Sequence, residues 1–435
     1  MSTLAGATRR RAVTGNLLLP IAFFTSPLAT SIVPRLTPLF VAIVGIALIG
    51  SALWRGMHWR ELLPYQPALA ACLLFVAYVF LNASWAIDPL AGFGKAALLI
   101  GLVLVTFAAI KATSALEKGT LGRAAIAFAA GALVGALFIM LELLTHGIVT
   151  RTVVGWIPSL SSPKHFNISN GMLTELNLSK LGQNVNLALF HLWPGLLALM
   201  GLASTRRTIA MVLFFVAIAT VIALSNHDSS QVALAASSLM VMLAWQWRTL
   251  VIRALVVLWC AAFVLVIPAS FAAYESGLHF ATWLPKSARA RVILWEYTAE
   301  QTLNRPLLGV GVDSTPRLSI EQKATLNREQ PEGFVYPRTM GHHAHNIFLQ
   351  TWHELGAVGA LLLAVAGAAV VLLIFCLPIP AQPFAAGAFA AFAIVGAFAW
   401  GMWQSWFMCA VALLPLYLRV ATSAFTRQAE QNCPK

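Results

Sequence analysis

Three histidines fall within four residues in the stretch Gly341-His342-His343-Ala344-His345-Asn346. Three chemistries are open to it. Imidazole titrates near neutral pH, which suits a general base. Clustered imidazoles can hold a metal. A polar cluster at the start of an interfacial helix needs no chemistry at all. The metal is the least supported, because no carboxylate or cysteine stands at a helpful spacing. His353-Glu354-Leu355-Gly356 also lacks the second histidine of the His-Glu-x-x-His zinc pattern. A second group, Arg289 and Arg291, offers guanidinium forks that grip phosphate or pyrophosphate. Two positions apart on a helix they face opposite sides, so only one points straight into a site. The plain alternative is an arginine reaching lipid headgroups. A third group is polar and lies at the ends of apolar runs. Gln183, Asn184 and Asn186 open one run, and Ser225-Asn226-His227-Asp228-Ser229-Ser230-Gln231 joins two others. Seven consecutive polar residues exceed what helix capping needs, so some are expected to line a polar cavity.

The elements that must position these groups are membrane helices. The chain has 435 residues, 59% hydrophobic and only 10% charged, with a mean hydropathy of +0.80. Soluble globular proteins carry about 25% charged residues, so a soluble enzyme is excluded, and disorder is excluded by the same hydrophobicity. The expected fold is all-α and polytopic. About 20 apolar residues cross a bilayer, and twelve runs qualify: 16–33, 36–54, 67–86, 95–111, 124–145, 184–203, 208–225, 231–247, 254–273, 346–376, 383–400 and 403–420. The tenth is too long for a straight crossing, so its first turns are expected outside the membrane or oblique to it. A basic patch before the first run resembles a signal peptide, but a second run follows at once, so an uncleaved first span is expected.

The net charge of +13 is a matter of sidedness here; membrane lipids, not nucleic acid, are the expected partners. With the N-terminus inside, inner segments hold fifteen basic residues and short outer loops only Arg35 and Lys95, a strong positive-inside bias that places both termini in the cytoplasm. Two outer loops break the pattern: 146–183, with Trp156, Lys164 and His165, and 274–344, which holds seven of the fifteen acidic residues. The division is thus 1–273 with spans one to nine, 274–344 as a large, partly helical outer loop, 345–420 with spans ten to twelve, and 421–435 as a tail. In the large loop, Ser287 is expected to cap a helix from Ala288 to about Asn304, followed by a glycine-rich turn at Leu307-Leu308-Gly309-Val310-Gly311-Val312. Cys72, Cys260, Cys376, Cys409 and Cys433 suggest neither a disulfide framework nor a zinc site. There is no P-loop, no dinucleotide-binding glycine fingerprint and no Asp-x-Asp pair. Glu142 is nearly the only carboxylate deep in an apolar run, which weakens an ion-coupled transporter.

The stretch His345-Asn346-Ile-Phe-Leu-Gln-Thr-Trp352-His-Glu354-Leu-Gly356-Ala-Val-Gly359 resembles the signature of the O-antigen ligase and O-antigen polymerase superfamily: a His-Asn pair, nine variable residues, then Gly-x-x-Gly. Arg291-x-x-x-Trp295 and Arg305-Pro306-Leu-Leu-Gly309-Val-Gly311 are similar to the same family's loop. The specific motifs cover about residues 287–360; the twelve-span architecture covers the rest. One departure stands out. Many members carry an arginine in the outer turn that corresponds to 225–231, where this chain has His227 and Asp228; Arg151, Lys164 and Arg338 are candidates to compensate.

The resemblance implies a glycosyltransferase of the Gram-negative inner membrane with its site facing the periplasm. Its donor would be a glycan on undecaprenyl pyrophosphate and, for a ligase, its acceptor a sugar hydroxyl of lipid A–core. No cofactor or metal is implied. In that frame His345 is the general base, Arg291 stabilises the departing pyrophosphate with Arg289 as second candidate, and the displacement inverts the anomeric centre. Asn346, His343, Arg338, Gln183, Asn184 and Arg151 are the expected substrate-binding residues, Asn346 serving also to orient His345 or cap the helix. Gly356 and Gly359 are expected to let span ten pack closely against a neighbour. A polymerase and a protein O-oligosaccharyltransferase share the donor and differ in acceptor; the short tail and the His-x-His-Asn context favour the ligase. Outside the family, a transporter of a small anion or a glycolipid flippase is the alternative.

Overall fold

The computed structural model describes residues 2–63, 65–157, 166–169, 172–323 and 338–431. Lys164 and His165, as well as Arg328, Glu329, Glu332, Cys433 and Lys435, lie outside the described residues. The protein is a helical bundle: α1 (Ser2–Ile32), α2 (Thr37–Trp54), α3 (Pro67–Asn82), α4 (Pro89–Ala112), α5 (Lys118–Leu144), α6 (Ile148–Trp156), α7 (Gly182–Leu199), α8 (Ser204–Leu224), α9 (Asp228–Glu275), α10 (Lys286–Thr302), α11 (Thr315–Lys323), α12 (Ile347–Leu372), α13 (Gln382–Phe398) and α14 (Ser405–Gln431). One antiparallel hairpin, β1 (Phe166–Ser169) with β2 (Met172–Leu176), follows α6 in the first outer loop.

Every one of the twelve apolar runs falls on helix. Among the described residues nine helices are long and apolar enough to cross a membrane. The difference from twelve has three sources. The apolar part of α1, Leu17–Ile32, is shorter than the rest. Helix α7 is not among the nine; it is buried along nearly its whole length, on every face, as an inner helix of the bundle. Helix α9 is counted once, although its 48 residues would run about 72 Å if straight, more than twice the ~30 Å of hydrocarbon. Its backbone leaves helical geometry at Trp247 (φ −125°, ψ 48°), the last residue of the eighth predicted run.

Close packing in the bundle rests on small residues. Helix α5 presents Gly131 and Gly135 to α1; a β-carbon would lie 2.0 Å from the Phe24 carbonyl oxygen at the first and 2.8 Å from Ser31 Cβ at the second. This is the small-xxx-small contact by which membrane helices approach each other. Helix α12 packs on α3 and α9, and α13 on α9 and α7, so α12 and α13 share α9 as a common wall.

The tenth run is divided in two. Helix α12 breaks at Gly356, whose φ of 66° and ψ of −169° leave the helical region. Gly356 therefore does more than permit close packing: it ends the first two turns of the helix. Gly359 does pack closely, with a β-carbon there falling 3.2 Å from the Tyr78 ring of α3. The loop helix α10 begins at Lys286, two residues earlier than expected. Ser287 is not its cap. Pro285 occupies that position without a side-chain bond, and Ser287 Oγ instead donates to Asp228 Oδ2 (3.5 Å), tying α10 to the start of α9.

Candidate active site

His345 and Asn346 stand at the N-terminus of α12. Asn346 is the N-cap: its Oδ1 accepts from the backbone N–H of Phe348 (3.0 Å) and Leu349 (3.1 Å), satisfying donors that a helix start leaves open. The residue before it, His345, takes a left-handed backbone conformation (φ 51°), uncommon outside glycine. That turn aims the imidazole at the C-terminal end of α13, where His345 Nδ1 lies 2.6 Å from the Ala399 carbonyl oxygen. A carbonyl only accepts, so Nδ1 carries the proton and Nε2 keeps its lone pair. This is the arrangement of an oriented base: one ring nitrogen held by an acceptor, the other left basic. The carbonyl sits at a helix C-terminus, whose partial negative charge favours the imidazolium formed when Nε2 takes a proton.

The groups around His345 set its charge. The His343 ring lies 4.1 Å from it, centroid to centroid. Gly401 backs the His343 ring so closely that a β-carbon there would sit 2.7 Å from its Cβ. Trp295 Nε1 donates to the Ala344 carbonyl (2.8 Å), fixing the histidine segment to α10. Arg291 lies one helical turn before Trp295 and so on the same face. Its positive charge reaches His345, His343 and His227 and disfavours protonation of all three. Burial acts first and in the same direction: His343 is pushed down to about 3 and His227 to about 4, while His345 is lowered with the Ala399 bond opposing. All three are neutral at pH 7.

One face of α12 holds this site in place. Asn346, Gln350 and Glu354 recur every four residues and line up. Gln350 Oε1 accepts from Met402 N–H (3.0 Å), and its amide donates to Glu354 Oε1 (3.2 Å). Glu354 is fully buried and accepts from the N–H of Asp313 (3.1 Å) and Thr315 (3.2 Å), and from the Thr315 hydroxyl and the Trp403 indole. The carboxylate thus caps α11 and grips the turn 399–404 that carries Ala399. The break at Gly356 frees backbone groups that the glycine-rich turn takes up. Val310 N–H donates to the His353 carbonyl (3.1 Å), Gly311 N–H to Glu354 (2.9 Å), and Ala357 N–H to Pro306 (2.8 Å). From α3, Tyr78 OH donates to the Leu355 carbonyl (2.8 Å) and Asn82 to that of Leu308 (2.9 Å). Lys95 stands 3.6 Å from Asp313 and donates to the Trp403 carbonyl (2.8 Å).

Of the residues singled out in the sequence, His345, His343 and Arg291 come together, and His227 joins them. Of the two arginines, both half-buried, Arg291 is the one whose charge bears on His227, His343 and His345. Several others are engaged elsewhere. Asn184 donates to the carbonyls of Ser31 (2.7 Å) and Ile32 (3.1 Å), closing the end of α1. Arg151 donates to the Thr145 carbonyl (3.0 Å) and to that of Thr174, within its own loop. Arg338 forks onto Glu296 (2.7 and 3.2 Å), reaches Glu300 (2.9 Å) and covers the Tyr297 ring (5.4 Å). Gln183 is half-buried beside Gly182, which lies against the His227 ring. Among the described residues no group of three His, Cys, Asp or Glu side chains is placed to hold a metal ion. Sequence reasoning missed Glu354 and Gln350; their four-residue spacing from Asn346 in an apolar run was the available signal. Ala399 offered none, since its role is played by the backbone.

Residues 213–364 match the family model described as O-Antigen ligase. His227, Arg291, Trp295, His345 and the whole His-Asn to Gly-x-x-Gly stretch lie within them. A Rickettsia felis protein named "Putative polysaccharide ligase" is 21% identical over 350 residues, covering 77% of this chain and 76% of that protein. The family match thus takes in the motif region and reaches upstream from it to residue 213.

Proposed function

We propose that the protein is an O-antigen ligase that moves a glycan from undecaprenyl pyrophosphate to a sugar hydroxyl of lipid A–core, at the periplasmic face of the inner membrane. The observation that carries this is the His345 imidazole, held through Nδ1 by the Ala399 carbonyl with Arg291 close by, inside the region similar to O-antigen ligases. His345 Nε2 takes the proton of the acceptor hydroxyl as its oxygen attacks the anomeric carbon. The bond to the pyrophosphate oxygen breaks with inversion, and Arg291 steadies the charge that develops there. Pyrophosphate leaves without a strong acid, so no carboxylate pair of the hydrolase kind is needed. In this reading 1–273 and 345–420 form the membrane body, 274–344 carries Arg291 to the site, and the excess of basic residues in the inner segments puts both termini in the cytoplasm. Arg289 and Gln183 are contacts to donor or acceptor outside the reacting centre.

The test is a lipopolysaccharide gel from a deletion strain complemented with wild type or His345→Ala, blotted in parallel for lipid-linked glycan. Bare core with long polymer retained on undecaprenyl pyrophosphate is the expected result. Core bearing a single repeat would make the protein a polymerase, and an unchanged pattern would remove His345 from the chemistry.

A further inference from the structure

The turn between α8 and α9 carries a second oriented imidazole. His227 Nδ1 lies 2.7 Å from Ser230 Oγ, and Ser230 Oγ donates to Asn186 Oδ1 (3.1 Å). The Asn186 amide nitrogen donates in turn to the Gly182 carbonyl (2.8 Å), so its oxygen is the accepting end. Serine has one proton to give, and Asn186 takes it. The bond to His227 therefore runs from Nδ1–H to Ser230 Oγ, and Nε2 keeps the lone pair. The ring is clamped on two sides. It stacks on Trp400 (6.0 Å between centroids, 12° between planes), and Gly182 is close enough that a β-carbon would sit 2.8 Å from its Cδ2. Trp400 meets Trp406 edge-on at 5.2 Å, and its Nε1–H is buried without an acceptor among the described residues.

A fixed lone pair and an uncommitted indole N–H suit a group that both donates and accepts, as a hydroxyl does. They do not suit a phosphate oxygen, which the lone pair repels. Burial and the Arg291 charge keep His227 neutral, in agreement. We propose that His227 and Trp400 form a sugar subsite beside His345, in which His227 Nε2 accepts a hydrogen bond from a glycan hydroxyl and Trp400 walls the ring. His227 thus determines specificity for sugar and does not substitute for an arginine on the pyrophosphate. The assignment rests on the glycan transfer proposed above. The hydroxyl belongs either to the donor glycan or to the acceptor.

Equilibrium binding to the purified full-length protein in detergent tests this with three probes: undecaprenyl pyrophosphate without sugar, the same lipid bearing the glycan, and delipidated core oligosaccharide. His227→Ala is expected to weaken one sugar-bearing probe about tenfold, the worth of one hydrogen bond, and to leave the sugar-free lipid within about twofold. Which probe responds identifies the source of the hydroxyl. His227→Gln, which sets an amide oxygen near the Nε2 position, is expected to recover most of the loss and guards against a variant that merely misfolds. An equal loss for the sugar-free lipid, or no loss for either sugar probe, overturns the subsite. Wild type that binds a sugar probe as expected but transfers no glycan would leave the subsite standing and defeat the transferase assignment alone.

Discussion

Two polar clusters flank the first turns of α12, and they are built on opposite rules. In the Glu354 cluster each carboxylate oxygen is engaged: backbone N–H groups, a threonine, a glutamine and a tryptophan all donate to it. In the imidazole cluster polar capacity is left over. His343 Nε2 and Trp400 Nε1 are buried without partners among the described residues, and the basic nitrogens of His345 and His227 face away from the groups that orient them. Buried polar atoms in native proteins are nearly always paired. A cluster that is fully paired is explained by the fold it holds; one with capacity to spare beside oriented basic nitrogens has room to bind a ligand. The same logic separates Glu142, which caps α6 through Val149 N–H (2.8 Å) and Thr150 N–H (3.2 Å), from a transport carboxylate.

Arg291 separates the two clusters most sharply. Arg291→Lys keeps a charge but loses the fork, and Arg291→Ala loses both. The alanine variant is expected to cost about 10²–10³ in kcat with little change in melting temperature, measured on the same preparation. Glu354→Ala should do the reverse. It strands several buried donors and is expected to cost roughly 3 kcal/mol or more of stability, seen as an early melt and as proteolysis of the 305–323 segment, with activity lost only as the fold is lost. A Glu354→Ala protein that melts like wild type would contradict the structural role.

Acid should affect both rate and stability through the imidazole cluster. His345 is held below the ordinary value of 6.5, so the base is neutral at pH 7 and the rate falls only as pH drops below that value. His343 and His227 stay neutral in the fold down to about 3 and about 4, while the unfolded chain takes up protons near 6.5. The unfolded state therefore binds more protons across that window, and stability declines as pH falls through it. A denaturant series at several pH values measures the slope. The smallest effect is expected at His353, whose two ring nitrogens are also buried without partners among the described residues. It is buried in α12 between Gln350 and Glu354 but takes part in none of their hydrogen bonds among the described residues. His353→Leu is expected to be neutral or to stabilise by about 1 kcal/mol, with transfer within about twofold. A large loss of activity there would show that spare polar capacity marks the site more widely than the Arg291 neighbourhood.

Much of this was legible in the sequence because the bilayer imposes it. Runs of about 20 apolar residues have few alternatives to helix, so each of the twelve falls on one, whereas the break in α12 at Gly356, read from sequence only as a packing glycine, was not anticipated. The His-Asn pair and the Arg291-to-Trp295 spacing also announced themselves, since side-chain type carries their chemistry. What stayed hidden depends on contacts distant in sequence. Glu354 pairs with residues some forty positions upstream and fifty downstream, and no local pattern reveals that. Ala399 acts through its carbonyl, which every residue has. Asn184, Arg151 and Arg338 had suitable chemistry for a substrate, but partners in the fold claim them first. Ser287 looked like a cap, yet Asp228 lay within its reach.

The most direct measurement is single-turnover transfer by purified His345→Ala protein, with glycan-bearing undecaprenyl pyrophosphate and lipid A–core in detergent, beside wild type of equal melting temperature. Loss of a general base is expected to slow the chemical step by about 10²–10⁴ while donor binding stays within a few fold. Transfer by His345→Ala at the wild-type rate would contradict the account, and the Ala399-held imidazole would then be a structural feature of the helix start.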